Sequence, residues 1–144
     1  ACNRVENLTF DDFDRDNEDY WFSLGDVYER SSRFNEAIKC YKKVTSIDHK
    51  DREAWVRQAS IQVKQDNPRK ALKTLREAFR WNMNCQDIVY MLSAVYFILN
   101  DFPAGLKFLE KAVGMGEGGM KLFLEIYPEA KTNQTIRQVL NIIP

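Results

Sequence analysis

A fixed period in the spacing of aromatic and apolar residues is the feature that most constrains how this chain can fold. Trp21 and Trp55 lie 34 positions apart, and Val89 stands 34 positions further on. A fixed period of this length indicates stacked copies of one supersecondary unit, each covering the apolar face of its neighbour. The same spacing relates three further columns of apolar or small residues: Ala37, Ala71 and Gly105; Tyr41, Leu75 and Leu109; Val44, Ala78 and Ala112.

Within each unit the pattern predicts two antiparallel helices. Trp21, Leu24 and Tyr28 recur at the three- and four-residue spacing of an amphipathic helix. Asp66-Asn67-Pro68 separates two helical segments of the second unit, because asparagine favours the N-terminal cap of a helix and proline its first turn. Asn100-Asp101-Phe102-Pro103 repeats this signal in the third unit. We therefore expect an all-α fold.

The first unit carries a motif that points to a family. Trp21, Leu24, Gly25 and Tyr28 stand in the arrangement W-x2-L-G-x2-Y, which opens the tetratricopeptide repeat pattern. The chain therefore resembles the tetratricopeptide repeat family. The resemblance implies an all-α, right-handed superhelical solenoid of three helix-turn-helix pairs, followed by C-terminal capping helices.

The resemblance also divides the chain into units. The second repeat departs from the family pattern, because Gln58 and Gln62 stand where leucine and an aromatic residue are usual. The predicted units are an acidic N-terminal segment (1–17), three repeats (18–51, 52–85 and 86–119) and the capping helices (120–144).

The C-terminal segment is expected to cover the apolar face of the third repeat, because the last unit of a solenoid otherwise leaves that face exposed. We predict a short helix from Met120 to Tyr127 that Pro128 ends, and a last helix from about Thr132. The arrangement Phe123/Tyr127-Pro128-Glu129-Ala130 is similar to the tails of tetratricopeptide proteins of Bacteroidetes bacteria.

The composition argues against an enzyme, a metal protein and a secreted protein. His49 is the single histidine, and no phosphate-binding or nucleophile motif occurs. Cys2, Cys40 and Cys85 are odd in number and widely spaced, which disfavours a disulfide framework and a zinc site and favours a reducing, cytoplasmic compartment. No apolar run approaches the ~20 residues that a membrane span needs. We expect no catalytic residues, no metal or other cofactor, and no membrane contact.

A concave groove is the predicted partner-binding site. In the family, positions two, five, nine and twelve of each first helix line that groove, and apolar anchors in it would hold a partner peptide or helix with some lysine or arginine. This predicts a non-enzymatic protein-interaction scaffold. Two occupants stay open, an external partner and the chain's own C-terminal helix or an upstream segment. The groove residues are Asp19, Phe22, Asp26, Glu29, Glu53, Val56, Ser60, Val63, Asp87, Tyr90, Ala94 and Phe97.

A second predicted surface is a basic stripe on the convex side. The net charge is zero, yet residues 35–85 carry twelve bases against six acids. Solvated helix surface, RNA, an acidic protein and the chain's own acidic N-terminus are the alternative interpretations of the stripe. Self-association through the apolar ends of the solenoid, giving a homo-oligomer, is a separate alternative to partner binding. Zero net charge and the lack of interleaved aromatic residues disfavour nucleic acid. The stripe comprises Lys39, Lys43, Arg69, Lys73, Arg76 and Arg80.

Overall fold

The computed structural model describes residues 17–116 and 118–140, and this part of the chain is built from helices that stack in chain order. The acidic N-terminal segment predicted at 1–17 lies, except for residue 17, outside the described residues. The all-α solenoid of three helix pairs with C-terminal capping helices is confirmed. The elements are α1 (Glu18–Arg30), α2 (Phe34–Ile47), α3 (Arg52–Lys64), α4 (Pro68–Trp81), α5 (Gln86–Ile98), α6 (Phe102–Met115), α7 (Met120–Ile126), a 3-10 helix (Pro128–Lys131) and α8 (Gln134–Val139).

The period of the sequence recurs in the backbone without insertion or deletion. The first helices of the three pairs begin at residues 18, 52 and 86, and the second helices begin at residues 34, 68 and 102. The turn within each pair contains a residue with positive φ at the same register, namely Ser32 (58°), Asp66 (57°) and Asn100 (64°). Aspartate and asparagine tolerate this left-handed conformation better than most side chains.

Side-chain caps begin the second helices of the second and third pairs, where the sequence predicts them. Asn67 Oδ1 accepts a hydrogen bond from the Lys70 backbone N–H at 3.3 Å, and Pro68 occupies the first turn of α4. Asp101 caps α6 in the same way, because its Oδ1 accepts a hydrogen bond from the Ala104 backbone N–H at 3.3 Å. The two predicted turn signals are confirmed.

Two glycines allow the helices of a pair to approach closely. A Cβ placed at Gly25 on α1 would lie 2.8 Å from the Tyr41 ring on α2. A Cβ at Gly105 on α6 would lie 2.6 Å from the Phe97 ring on α5. Both distances are below ordinary van der Waals contact, so a larger residue at either position would push the paired helices apart.

The C-terminal segment continues the repeat before it departs from it. α7 begins at residue 120, one full period after the start of α5 at residue 86, so it takes the register of a fourth first helix. It ends at Ile126, because Pro128 disfavours helical backbone at the residue before it. Asn133 caps α8, which therefore begins at Gln134 rather than at Thr132.

The capping helices bury the exposed end of the third repeat. Phe123 on α7 and Ile136 on α8 are 0% and 1% exposed and share one core cluster with Leu109 and Ala112 on α6. This packing places the C-terminal segment against both helices of the third pair, where it closes part of the concave surface.

Candidate functional site

The concave surface is open at one end and closed at the other. The structure buries Phe22, Asp26, Tyr90, Ala94 and Phe97. The remaining residues predicted for the groove keep part of their surface: Asp19 is exposed, and Glu29, Glu53, Val56, Ser60, Val63 and Asp87 are half-buried.

The first capping helix, α7, closes the third repeat. The rings of Phe97 and Tyr127 stack at 5.4 Å between centroids, and the ring of Phe123 lies 6.1 Å from that of Tyr90. Tyr90 also donates a hydrogen bond from its hydroxyl to the Gly116 carbonyl at 2.8 Å. The expectation that Tyr90 and Phe97 are accessible anchors is therefore wrong, because α7 packs across them.

Phe22 is also buried, but by a different neighbour. Its ring lies 5.5 Å from that of Tyr41 on α2, and the Arg57 guanidinium from α3 lies 5.0 Å above it. Phe22 therefore belongs to the core of the first two repeats. The expectation that it is an accessible anchor is wrong for this reason.

Arg57 is the centre of a polar network that joins the first two repeats across the concave surface. Its Nη1 lies 2.8 Å from Asp26 Oδ1 and 3.5 Å from Glu29 Oε1, and its Nη2 lies 3.5 Å from Glu53 Oε1. The Tyr41 hydroxyl accepts from Arg57 at 3.2 Å and donates to Glu29 at 2.7 Å. The positive charge of Arg57 is thus shared among the chain's own acceptors.

The electrostatics of this network keep Tyr41 neutral and Arg57 charged. Burial raises the pKa of the Tyr41 hydroxyl well above its ordinary value, and the hydrogen bond to Glu29 raises it further. Burial alone lowers the pKa of Arg57, but the hydrogen bonds with Tyr41 and Asp26 outweigh that effect and raise it above its usual range.

A cleft of about 290 Å³ remains open between α3 and α7. Sequence reasoning missed the wall contributed by α7, although the start of α7 in the register of the repeats is a signal that could have indicated it. Asp87 lies elsewhere, at a separate cleft shared with Arg52 and Gly118. The open cleft is lined by Glu29, Arg57, Ser60, Val63, Lys64, Leu122, Glu125 and Ile126.

The basic stripe is divided by the structure. Arg69, Lys73, Arg76 and Arg80 on α4 line one cleft of about 620 Å³ between α4 and α6, and Lys39 and Lys43 on α2 do not line it. The aromatic side chains of Phe79, Tyr96 and Phe108 line the same cleft. The expectation that no aromatic residues accompany the stripe is wrong here, because two of the three rings come from neighbouring helices. The partner of this surface stays a prediction.

Neither a metal site nor a membrane span is found among the described residues. Within residues 17–116 and 118–140, no three side chains of histidine, cysteine, aspartate or glutamate are arranged to hold a metal ion. None of the helices in the same part of the chain is long and apolar enough to span a membrane. Cys40 is buried, which raises the pKa of its thiol to about 11. Such a thiol is a poor nucleophile at neutral pH.

Comparisons with known proteins agree with this geometry. The family model described as tetratricopeptide repeat matches residues 18–51. A solved structure titled "Crystal structure of MamA" superposes with a TM-score of 0.67 and 23% identity, over 88% of this chain and 73% of that one. A second, titled "Crystal structure of MamA protein", gives a TM-score of 0.65 and 17% identity, over 85% of this chain and 70% of that one.

At these identities the likeness to the solved structures is one of fold. No curated protein matches the chain in sequence. Residues 18–51 match the tetratricopeptide repeat model, and the helix pairs that follow at the same period give the chain the solenoid fold of the two solved structures.

Proposed function

We propose that the protein is a non-enzymatic interaction scaffold that binds a segment of a partner protein on its concave side, between the second repeat and the first capping helix. The observation that carries the proposal is the cleft of about 290 Å³ between α3 and α7. Val56, Ser60 and Val63 lie on one face of α3 and are only half-buried. Their surface is accessible to a partner, whereas α7 covers the aromatic side chains of the third repeat.

The lining of this cleft favours a partner segment with apolar side chains. Val63, Leu122 and Ile126 supply apolar surface, and the charged residues beside them are mixed, since Glu29 and Glu125 are acidic and Lys64 is basic. Arg57 is already paired with carboxylates of the chain, so it gives little attraction to an acidic ligand. Apolar anchors in a cleft, surrounded by charges that select the partner, are the usual basis of peptide recognition.

The test is affinity capture with matched valine variants. Val63→Glu puts a carboxylate into the cleft, and Val27→Glu makes the same change at a residue of α1 that is 45% exposed and outside the cleft. We expect one partner to be captured by the unaltered protein and by Val27→Glu, and to be lost from Val63→Glu. All three proteins must first give the same circular dichroism spectrum and melting temperature.

A photo-crosslinking residue distinguishes the concave cleft from other surfaces. It is placed at Ser60 inside the cleft and, as a control, at the exposed Lys39 on α2. Crosslinking of the partner from Ser60 supports the proposal. Crosslinking from Lys39 alone, with equal capture by both valine variants, would move the binding site to the convex side and its basic stripe. A mass that rises with protein concentration would instead indicate self-association.

A further inference from the structure

The second repeat buries two glutamines where its neighbours have apolar or aromatic residues. Gln58 is 3% exposed and Gln62 is 4% exposed, both on α3. The corresponding register of the first repeat holds Leu24 and Tyr28. Burial of a carboxamide is unfavourable unless hydrogen bonds replace those it made to water. The fold itself does not require glutamine here, because the first repeat is built without it.

The two glutamines form the floor of a cleft of about 460 Å³ between α2 and α4. Thr74 on α4 donates its hydroxyl to Gln62 Oε1 at 2.7 Å, which leaves the Gln62 amide nitrogen to donate elsewhere. Within the described part of the chain, Gln58 Oε1 is fully buried and has no hydrogen-bond partner. Turning the Gln58 carboxamide over brings that acceptor to the cleft, and the floor then offers one acceptor and one donor.

Neighbouring hydroxyl and imidazole groups do not satisfy that acceptor. Thr45 donates to the Lys42 carbonyl at 3.1 Å, and Ser46 donates to the Lys43 carbonyl at 2.7 Å. His49 is held by its contact with the Thr45 carbonyl at 2.8 Å, and its ring stacks on Trp81 at 4.3 Å. A buried acceptor beside groups that are already bonded needs a donor from elsewhere, and a ligand can supply one.

The rim of the same cleft is basic. Lys42 stands on the α2 wall, and Lys70 and Lys73 stand on the α4 wall, all three exposed. Glu77 also lines the cleft, but it pairs with Arg80 at 3.2 Å. Cations on both walls favour an anionic ligand that runs across the carboxamide floor.

We propose that this cleft binds an extended acidic peptide segment of a protein partner. A peptide N–H donates to Gln58 Oε1, a peptide carbonyl accepts from the Gln62 amide, and aspartate or glutamate side chains pair with Lys42 and Lys70. A small inorganic anion would satisfy the lysines but would leave the Gln58 acceptor without a donor. The site goes beyond the proposed function, because it shares no lining residue with the concave cleft between α3 and α7.

The experiment measures the binding of two capped hexapeptides by fluorescence anisotropy at low salt. One peptide alternates aspartate with valine, and its neutral twin alternates asparagine with valine. We expect the aspartate peptide to bind at least tenfold more tightly than its twin. Gln58→Leu should weaken that binding tenfold while the melting temperature stays equal or rises, because leucine is the residue of the family pattern at this position.

Matched lysine variants locate the charge contribution. Lys70→Gln should weaken binding several-fold, and Lys107→Gln, the same charge change at an exposed residue of α6 outside the cleft, should leave it unchanged. Val63→Glu should also leave it unchanged, which separates this site from the concave one. In NMR spectra the side-chain amide signals of Gln58 and Gln62 should shift on titration, and that of the exposed Gln65 should not.

Absence of binding by the unaltered protein would overturn the proposal. Equal affinity for the two peptides, or equal affinity in Gln58→Leu, would overturn it as well. These results would leave the proposed concave site untouched, since that site is tested by different variants.

Discussion

The two ends of the concave surface use the same register positions in opposite ways. Between the first and second repeats these positions contribute to a charged network around Arg57, and the surface beside it stays open. At the third repeat they form an aromatic cluster that α7 seals. The contrast shows that register sets the direction of a side chain, whereas the next helix in the stack decides whether it is accessible. The compared residues are Phe22, Asp26 and Glu29 against Tyr90, Ala94 and Phe97.

The largest expected effect tests the sealed end. Phe97→Ala removes a ring that is 1% exposed and contacts three other aromatic rings. We expect the free energy of unfolding to fall by about 3–5 kcal/mol, the usual result of truncating a buried phenylalanine. Urea denaturation followed by circular dichroism measures it.

The control for this change is Phe102→Ala on the neighbouring helix. Phe102 contacts the same Phe97 ring but is 39% exposed, so its truncation should cost well under half as much. Equal losses in the two variants would contradict the description of the third repeat as a sealed cluster.

A smaller effect is expected at the open end. Among the described residues, Arg57→Leu leaves Asp26, which is 4% exposed, with the ion pair to Arg30 at 3.0 Å as its remaining cationic partner. We expect a loss of about 2 kcal/mol in the free energy of unfolding, since the network is partly open to water. Thermal and urea unfolding measure the loss.

The matched control is Arg80→Leu, which breaks an exposed ion pair with Glu77. Pairs of this kind contribute roughly 0–1 kcal/mol. The side chains of Arg80 and Glu77 are 73% and 45% exposed, against 23% for Arg57. If both arginine variants lose the same stability, the network does not hold the two repeats together as described.

The smallest effect is a pH dependence confined to the open end. Burial and the bond to Glu29 raise the pKa of Tyr41 in the folded protein, whereas in the unfolded chain it titrates near ~10. The stability that this shift contributes is fully present below pH ~10. It is lost as the pH rises further, because above pH ~10 the unfolded chain binds fewer protons than the folded protein. By pH 11 this loss should reach about 1.4 kcal/mol.

The comparison is made with Tyr41→Phe, in a Cys40→Ala background that removes the other raised pKa nearby. Urea unfolding between pH 8 and 11 should show a flatter pH profile for Tyr41→Phe. Parallel profiles would mean that the Tyr41 hydroxyl loses its proton as easily in the folded protein as in the unfolded chain.

Most of the fold could be predicted because it depends on local signals that recur. Asn67, Pro68 and Asp101 mark helix starts through their own backbone chemistry, and the period carries those starts from one repeat to the next. The accessibility of Tyr90 and Phe97 could not be predicted in this way. It depends on α7, although Phe123 stands one period after Val89 and so extends the column that begins at Trp21.

The candidate sites were harder to predict because their parts come from different helices. Arg57 meets Asp26, which is 31 residues earlier in the chain, and no local pattern pairs these two charges. The departure of Gln58 and Gln62 from the family pattern was visible in the sequence. A role in binding could not be predicted for them, because it depends on the cleft above them. The lysines at the rim of that cleft come from both α2 and α4.

The position of α7 in the register of the repeats has a consequence for assembly in solution. A solenoid lengthens by repeating one interface, and the apolar surface of α5 and α6 is where another unit would add. Here α7 and α8 occupy that surface from within the chain, with Phe123 and Ile136 almost fully buried. At this end α7 and α8 therefore already fill the interface on α5 and α6, so a second molecule could add to that interface only if they moved away.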